Sequence, residues 1–170
     1  ISHVGNVTGR DACEASRNPI AITHGNPYSF CEAPRNKPMD LIEAVAARGG
    51  IVGCTFYPLF AGGAGTTREQ YCEMLYDLAE RIGVDHVAIG TDAVLGWAPD
   101  ALGWMRSGRW DRPTKPSEIP EFPPWFDWFQ GPKDFPNLAE GLTEAGFSNE
   151  DRDKILGGNW IRLFGTVFPS

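Results

Sequence analysis

The chain has three histidines, at positions 3, 24 and 86, and two of them share a setting. His3 lies in "SHVGN" and His24 in "THGNP", each ahead of a turn of small residues. His24 ends the apolar run "IAIT" at 20–23, and Asp92 ends another in "AIGTDA". In a parallel α/β protein the carboxyl ends of the strands share one rim, and active sites collect there. Two neutral imidazoles and a carboxylate on that rim are suitable ligands for zinc or a similar divalent ion. A lone strand-end histidine is more often a hydrogen-bonding residue, so the metal reading rests on two of them recurring beside an aspartate. His86 opens its strand on the opposite rim and is read as structural. Arg35, in "APRNKP", follows His24 closely enough to reach the same rim. Its planar fork of donors matches a carboxylate in two places, although taken alone it reads sooner as a surface arginine or a local ion pair.

Three short apolar runs must position these groups: "IAIT" (20–23), "IVGCTFY" (51–57) and "HVAIGT" (86–91). Each is near-continuously apolar, as parallel strands covered on both faces are. Helical patterns alternate with them. "TGRDACEAS" (8–16) starts from Thr8 as a cap. "PMDLIEAVAARGG" (38–50) has Pro38 at its start, Gly49 beyond its end, and a stripe of Leu41, Ile42, Val45 and Ala46. "TTREQYCEMLYDLAERIG" (66–83) carries a capping box at Thr67 and Gln70 and faces Tyr71, Met74, Leu75 and Leu78 to one side. The order strand, helix, strand, helix, strand predicts parallel β-α-β crossovers.

After Asp92 the chain changes character. The segment to 136 is rich in Pro, Trp and Phe and holds five of the six tryptophans. Its aromatic content argues against disorder, and it reads as an ordered excursion whose rings pack on the domain. Two helical segments follow, 137–147 and 148–168, the second with a capping signature at Ser148 and Asp151.

The net charge of −7 excludes a partner that requires basic patches, such as nucleic acid or an anionic membrane. No apolar run approaches the length of a membrane span. Four cysteines, at 13, 31, 54 and 72, form no C-x-x-C unit and read as reduced thiols. The start "ISHVGNVTGRDA" has no signal-peptide pattern. A cytoplasmic or periplasmic setting in a bacterium is expected.

Several of these stretches resemble one family. "ISHVG", "PIAITHGNPYSFCEAPRNKPMDLIEAVAARGGIVG", "DHVAIGTD" and "KILGGNWIRLFG" are similar to the membrane (renal-type) dipeptidases, the M19 peptidases of the amidohydrolase superfamily. The resemblance implies a (β/α)8 barrel with a binuclear zinc site on its carboxyl rim. It implies that His3 and His24 ligate one zinc and that Asp92 contacts the metal-bound water and transfers its proton. It implies that Arg35 binds the terminal carboxylate of a dipeptide substrate, whose second residue is often tolerated in the D form. There are departures. The chain has no H-x-D pair, Gly25 stands where serine is common, and "DAVLGW" replaces an acidic "DFDG"-like stretch.

Four βα units do not close an eight-stranded sheet. The sequence is therefore read as one domain forming the carboxyl-terminal half of a TIM-type barrel. It divides into a half-barrel at 1–92, an insertion at 93–136 and C-terminal helices at 137–170. The segment alone is expected to be inactive. The remaining amino-terminal half would come from a companion chain or an unshown segment, with pairing of two copies or a remnant as the other options. The leading reading is a zinc-dependent dipeptidase. The alternatives are a non-catalytic binding or assembly protein that keeps the barrel surface, or an amidohydrolase acting on a different amide.

Overall fold

The computed structural model describes residues 1–93 and 123–168. Three parallel strands, β1 (Ala21–Ile22), β2 (Ile51–Cys54) and β3 (Val87–Ile89), lie in the order β1-β2-β3. Ala21 pairs with Ile51 and Ile22 with Val52, while Val52, Gly53 and Cys54 pair with Val87, Ala88 and Ile89. Helix α1 (Asn6–Ala15) precedes β1, and helices α2 (Met39–Ala47) and α3 (Arg68–Ile82) make the crossovers. The three apolar runs and the intervening helices are thus present, with strands shorter than the runs that encode them. Backbone bonds continue a little past the strands, where the Gly25 amide bonds Gly53 O, the Gly90 amide bonds Cys54 O and the Phe56 amide bonds Thr91 O.

The helix signals hold where they are local. Thr67 accepts from the Gln70 amide and Gln70 returns the bond, completing the capping box of α3. Gly83 then ends that helix at φ 86°, a left-handed value that costs glycine little. Ser148 and Asp151 cap α5 (Asn149–Asp153) in the same way. Thr8 is not a cap. It sits inside α1, which begins at Asn6 behind Gly5 with no side-chain cap.

Alternation along the strands sorts their side chains onto two faces. Ile22, Val52, Cys54, Val87 and Ile89 share one core with the α2 and α3 stripes: Leu41, Ile42, Val45, Tyr71, Met74, Leu75 and Leu78. Phe126 and Phe129, both fully buried, join this core beside Phe56, and Phe126 stacks on Trp128 at 5.1 Å between ring centroids. Trp128 Nε1 donates to Thr66 O at 3.0 Å. Residues 123–136 therefore pack their rings on the domain, whereas 94–122, the rest of the aromatic-rich stretch, lie outside the described residues.

The other sheet face carries Ala21, Ile51 and Ala88 and is covered by Trp160, Leu163 and Val167. These belong to α6 (Asn159–Val167), which follows α4 (Phe135–Glu144), α5 and a π-helical turn at Lys154–Gly158. The Gly90 amide bonds Cys54 O, so in a parallel ladder the carbonyls of Val87 and Ile89 point away from β2. Side chains take them. Asn159 Nδ2 donates to Val87 O at 2.7 Å and to Val84 O at 2.8 Å, and Trp160 Nε1 donates to Ile89 O at 2.8 Å. Among the described residues this edge of β3 is covered by side chains and not by a fourth strand.

Among the described residues no helix is long and apolar enough to cross a membrane. All four cysteines are free thiols. Burial pushes the Cys54 and Cys72 thiols up to about 12.

Candidate metal and carboxylate site

The carboxyl ends of the strands pack so closely that only glycine fits. A Cβ on Gly53 would lie 2.4 Å from Thr23 O, and one on Gly90 would lie 1.8 Å from it. Thr23 and His24 are thereby drawn over the rim. The segment before α1 runs along the outer edge of β1, where the Ile1 amine donates to Ala21 O at 2.7 Å. Ser2, buried, bonds Thr23 Oγ1 at 2.8 Å and accepts the His24 amide at 3.0 Å. His3 then reaches the rim from β1's free side.

The result is a facing pair of imidazoles. His3 Nε2 lies 2.6 Å from His24 Nε2, with the rings edge to face. The far nitrogen of each ring is engaged as well. Thr23 Oγ1 lies 2.9 Å from His24 Nδ1, and Arg35 Nη1 lies 2.5 Å from His3 Nδ1. The Arg35 guanidinium also lies over the Phe60 ring, 5.9 Å from its centroid. Partial burial, then the Arg35 charge, then His24 hold the His3 imidazole below its ordinary range, with Asp92 pulling the other way. Asp92 is exposed, stands at the end of β3 within electrostatic reach of His3, and hydrogen-bonds neither imidazole. Its φ of 56° is the only positive value at a non-glycine residue among those described, and aspartate tolerates that conformation better than most.

Sequence alone did not reveal what holds the Arg35 loop. Asn26 and Asn36 are buried in it. Asn26 Oδ1 accepts the Thr55 amide at 3.0 Å, and its Nδ2 donates to Thr55 O and Phe60 O. Asn36 Oδ1 accepts the Asn26 amide, and its Nδ2 donates to Cys31 O and Phe60 O. Lys37 is 1% exposed, and its ammonium donates to Val4 O at 2.7 Å, clamping the residue after His3. Burial, then the Arg35 charge, lowers the Lys37 ammonium below its ordinary value. The signal for these roles was faint: two polar amides and a lysine within "THGNPYSFCEAPRNKP", a loop too short to bury them unless they bond backbone.

His86 stands apart, its Nδ1 2.7 Å from Gly50 O at the amino end of β2, as a structural residue would. A cavity of about 940 Å³ lies on the helix side between Phe30, Met39, Glu73, Met74 and Asp77, and neither histidine of the rim, Arg35 nor Asp92 lines it.

Two imidazole nitrogens converging from separate loops suit a borderline divalent ion such as zinc. They are a partial set. Among the described residues no three His, Cys, Asp or Glu side chains gather to hold an ion.

Residues 1–105 match the model of a family described as membrane dipeptidase, peptidase family M19. A dipeptidase of Clonostachys rogersoniana, verJ, is 30% identical over 98% of this chain and 36% of its own length. An uncharacterized protein in the pqqA 5' region of Klebsiella pneumoniae is 25% identical over 99% of this chain and 54% of its own. The chain thus spans about half, or less, of the curated relatives it matches. An amidohydrolase structure from Pseudomonas aeruginosa superposes at a TM-score of 0.86 with 29% identity, covering 100% of this chain and 52% of that one. A metallopeptidase from Rhodobacter sphaeroides, liganded with a phosphinate mimic of L-Ala-D-Ala, shares the fold at a TM-score of 0.74 and 21% identity. It is covered over 41% of its length by 98% of this chain. These neighbours identify the structure as the carboxyl-terminal half of a TIM-type barrel, its parallel strands followed by the C-terminal helices.

Proposed function

The chain belongs to the membrane dipeptidase family, peptidase family M19, and from that premise we propose that it carries part of the active rim of a zinc-dependent dipeptidase. The observation that carries the reading is the 2.6 Å approach of His3 Nε2 to His24 Nε2 beside Arg35. His3 and His24 hold the ion in this reading, and a divalent ion supplies Lewis acidity toward a scissile carbonyl and toward water. Arg35 offers parallel donors to the substrate's terminal carboxylate, which fixes the register of a dipeptide and disfavours longer chains. Asp92 accepts the proton of the attacking water on a carboxylate oxygen and delivers it to the leaving amine as the C–N bond breaks. The dipeptide mimic bound by the Rhodobacter sphaeroides fold neighbour supports a substrate with a D-residue in second place.

A catalytic zinc ordinarily takes three protein ligands, so turnover needs ligands beyond the two described here. An amino-terminal half of the barrel, in the same polypeptide or in a companion chain, is their proposed source. A non-catalytic binding role is the second reading, favoured by the lack of a third ligand among the described residues.

The test is zinc uptake by the purified chain, measured by titration against a chromophoric chelator, with His24→Ala as control. The chain should bind zinc and the variant at least tenfold more weakly. A dipeptide panel, run with and without a complementary half, should show hydrolysis only with the complete ligand set. Zinc uptake indifferent to His24 would sink the metal reading, and uptake without hydrolysis in the completed assembly would favour the binding role.

A further inference from the structure

We infer that Phe60 is a positioning residue for Arg35: its ring is a shelf that steadies the guanidinium plane while the donor edge of that plane stays open to a carboxylate. The inference rests on the dipeptidase reading for whose carboxylate it is, and on geometry for the rest. Two separate segments meet here, one following β1 and one following β2. Two side-chain amides join them at a single atom. Asn26 Nδ2 donates to Phe60 O at 2.9 Å, and Asn36 Nδ2 donates to the same oxygen at 2.8 Å. Asn36 directly follows Arg35, so the backbone that carries the guanidinium is tied to the residue beneath it. Phe60 is also fixed from its own side. Its amide donates to Tyr57 O at 2.9 Å within a single 3-10 turn, Pro58–Phe60, and its ring meets the Tyr57 ring at 5.1 Å between centroids.

Arg35 lays its guanidinium carbon over that ring, 5.9 Å from the centroid. The faces of a guanidinium carry no N–H, because every donor lies in its plane and points outward. A ring beneath one face therefore occupies no donor, whereas an acidic neighbour would take two. Among the described residues the one hydrogen-bond contact of Arg35 is Nη1 with His3 Nδ1, and no aspartate or glutamate pairs with it. The rest of the fork faces no protein acceptor. A long side chain that hangs free loses its rotamer freedom when it takes a ligand, and one already resting on a ring has less to lose. Leucine at 60 would keep the carbonyl that both asparagines use but would offer the cation no negative ring face.

NMR of the Arg35 side-chain Nε–H in the 170-residue chain, with N-acetyl-D-alanine as the carboxylate probe, tests the inference without metal or turnover. Phe60→Leu removes the ring and leaves the carbonyl in place. It should lower the order parameter of the Arg35 Nε–H and weaken probe binding about 2–5-fold, the range of a partly exposed cation–π contact. Phe60→Tyr should restore both. Thermal melting of each variant reports the purely structural share of the ring. A leucine variant that binds the probe like wild type overturns the inference, whatever its Tm, and so does a tyrosine variant as impaired as the leucine one. A lowered order parameter in the leucine variant together with no probe binding even by wild type supports the shelf and counts instead against the dipeptidase reading.

Discussion

Asn26 offers the sharpest test of what holds the rim together. Its amide makes three bonds in a fully buried site: Oδ1 from the Thr55 amide, and Nδ2 to Thr55 O and Phe60 O. Both carbonyls have a second donor. Tyr71 Oη donates to Thr55 O, and Asn36 Nδ2 donates to Phe60 O. Only the Thr55 amide is therefore orphaned in Asn26→Ala. That orphan costs about 1–3 kcal/mol and each of the two other lost bonds about 0.5–1.5 kcal/mol net, for a total of about 2–6 kcal/mol. The loss corresponds to roughly 5–15 °C in Tm for a chain of this size. Asn26→Asp separates the bonds from the burial. The aspartate keeps the acceptor for Thr55 but turns an oxygen toward two carbonyls, so burial and repulsion raise its folded pKa above the ordinary value of about 3.9. A raised folded pKa means that the folded state binds the extra proton, so stability is retained below about pH 4 and lost as pH rises. Between there and pH 7 the span is about 3 pH units, which bounds the pH-dependent loss at about 4 kcal/mol. Urea denaturation of both variants and wild type at pH 5 and pH 7 measures this. An aspartate variant matching wild type at pH 7, or a wild-type-relative loss that ignores pH, refutes the reasoning.

Other perturbations should behave as follows. Gly90→Ala, whose Cβ would lie 1.8 Å from Thr23 O, should cost about 3 kcal/mol or more and weaken zinc binding, whereas Gly65→Ala, with open space around it, should be near neutral by thermal melting. Lys37→Met removes a buried charge and should leave global stability within about 1 kcal/mol of wild type, yet loosen residues 2–4, seen as lower backbone NMR order parameters. With thiols at 54 and 72 raised to about 12, the folded state keeps protons that the unfolded state loses above about 9, so stability should fall as pH rises from 9 to 12. Denaturation curves across that range check the sign. A disulfide-exchange dye at pH 8 should label the half-buried Cys31 first and reach Cys54 and Cys72 only on unfolding.

Local chemistry was the legible part of the fold. Thr67 with Gln70, Ser148 with Asp151, and Gly83 each act within a few residues, so their roles can be read without knowing what lies across the core. The stripe of Leu41, Ile42, Val45 and Ala46 points inward because its spacing leaves no other face for it. Thr8 failed as a cap because the helix starts two residues before it, at Asn6, behind Gly5, whose carbonyl accepts the Gly9 amide. At the rim, the strand-end rule places His24 and Asp92 on one side of the sheet, but it does not show which nitrogen faces which neighbour. Ser2 and Thr23 are 21 residues apart, and their contact exists only once the first segment lies along β1. Asn26, Asn36 and Lys37 were opaque for the same reason: their bonds go to backbone on other loops, and the sequence carries no register for that.

The covering of β3 by α6 has a consequence for how this sheet can grow. Asn159 and Trp160 already hold the outward carbonyls of Val87 and Ile89, so an incoming strand meets an occupied ladder. Pairing there is an exchange, in which a newcomer must evict two side chains and lift an aromatic ring from the sheet before its first backbone bond closes. An amino-terminal half that completes the barrel on this flank would have to make the same exchange, displacing Asn159 and Trp160 from the two carbonyls.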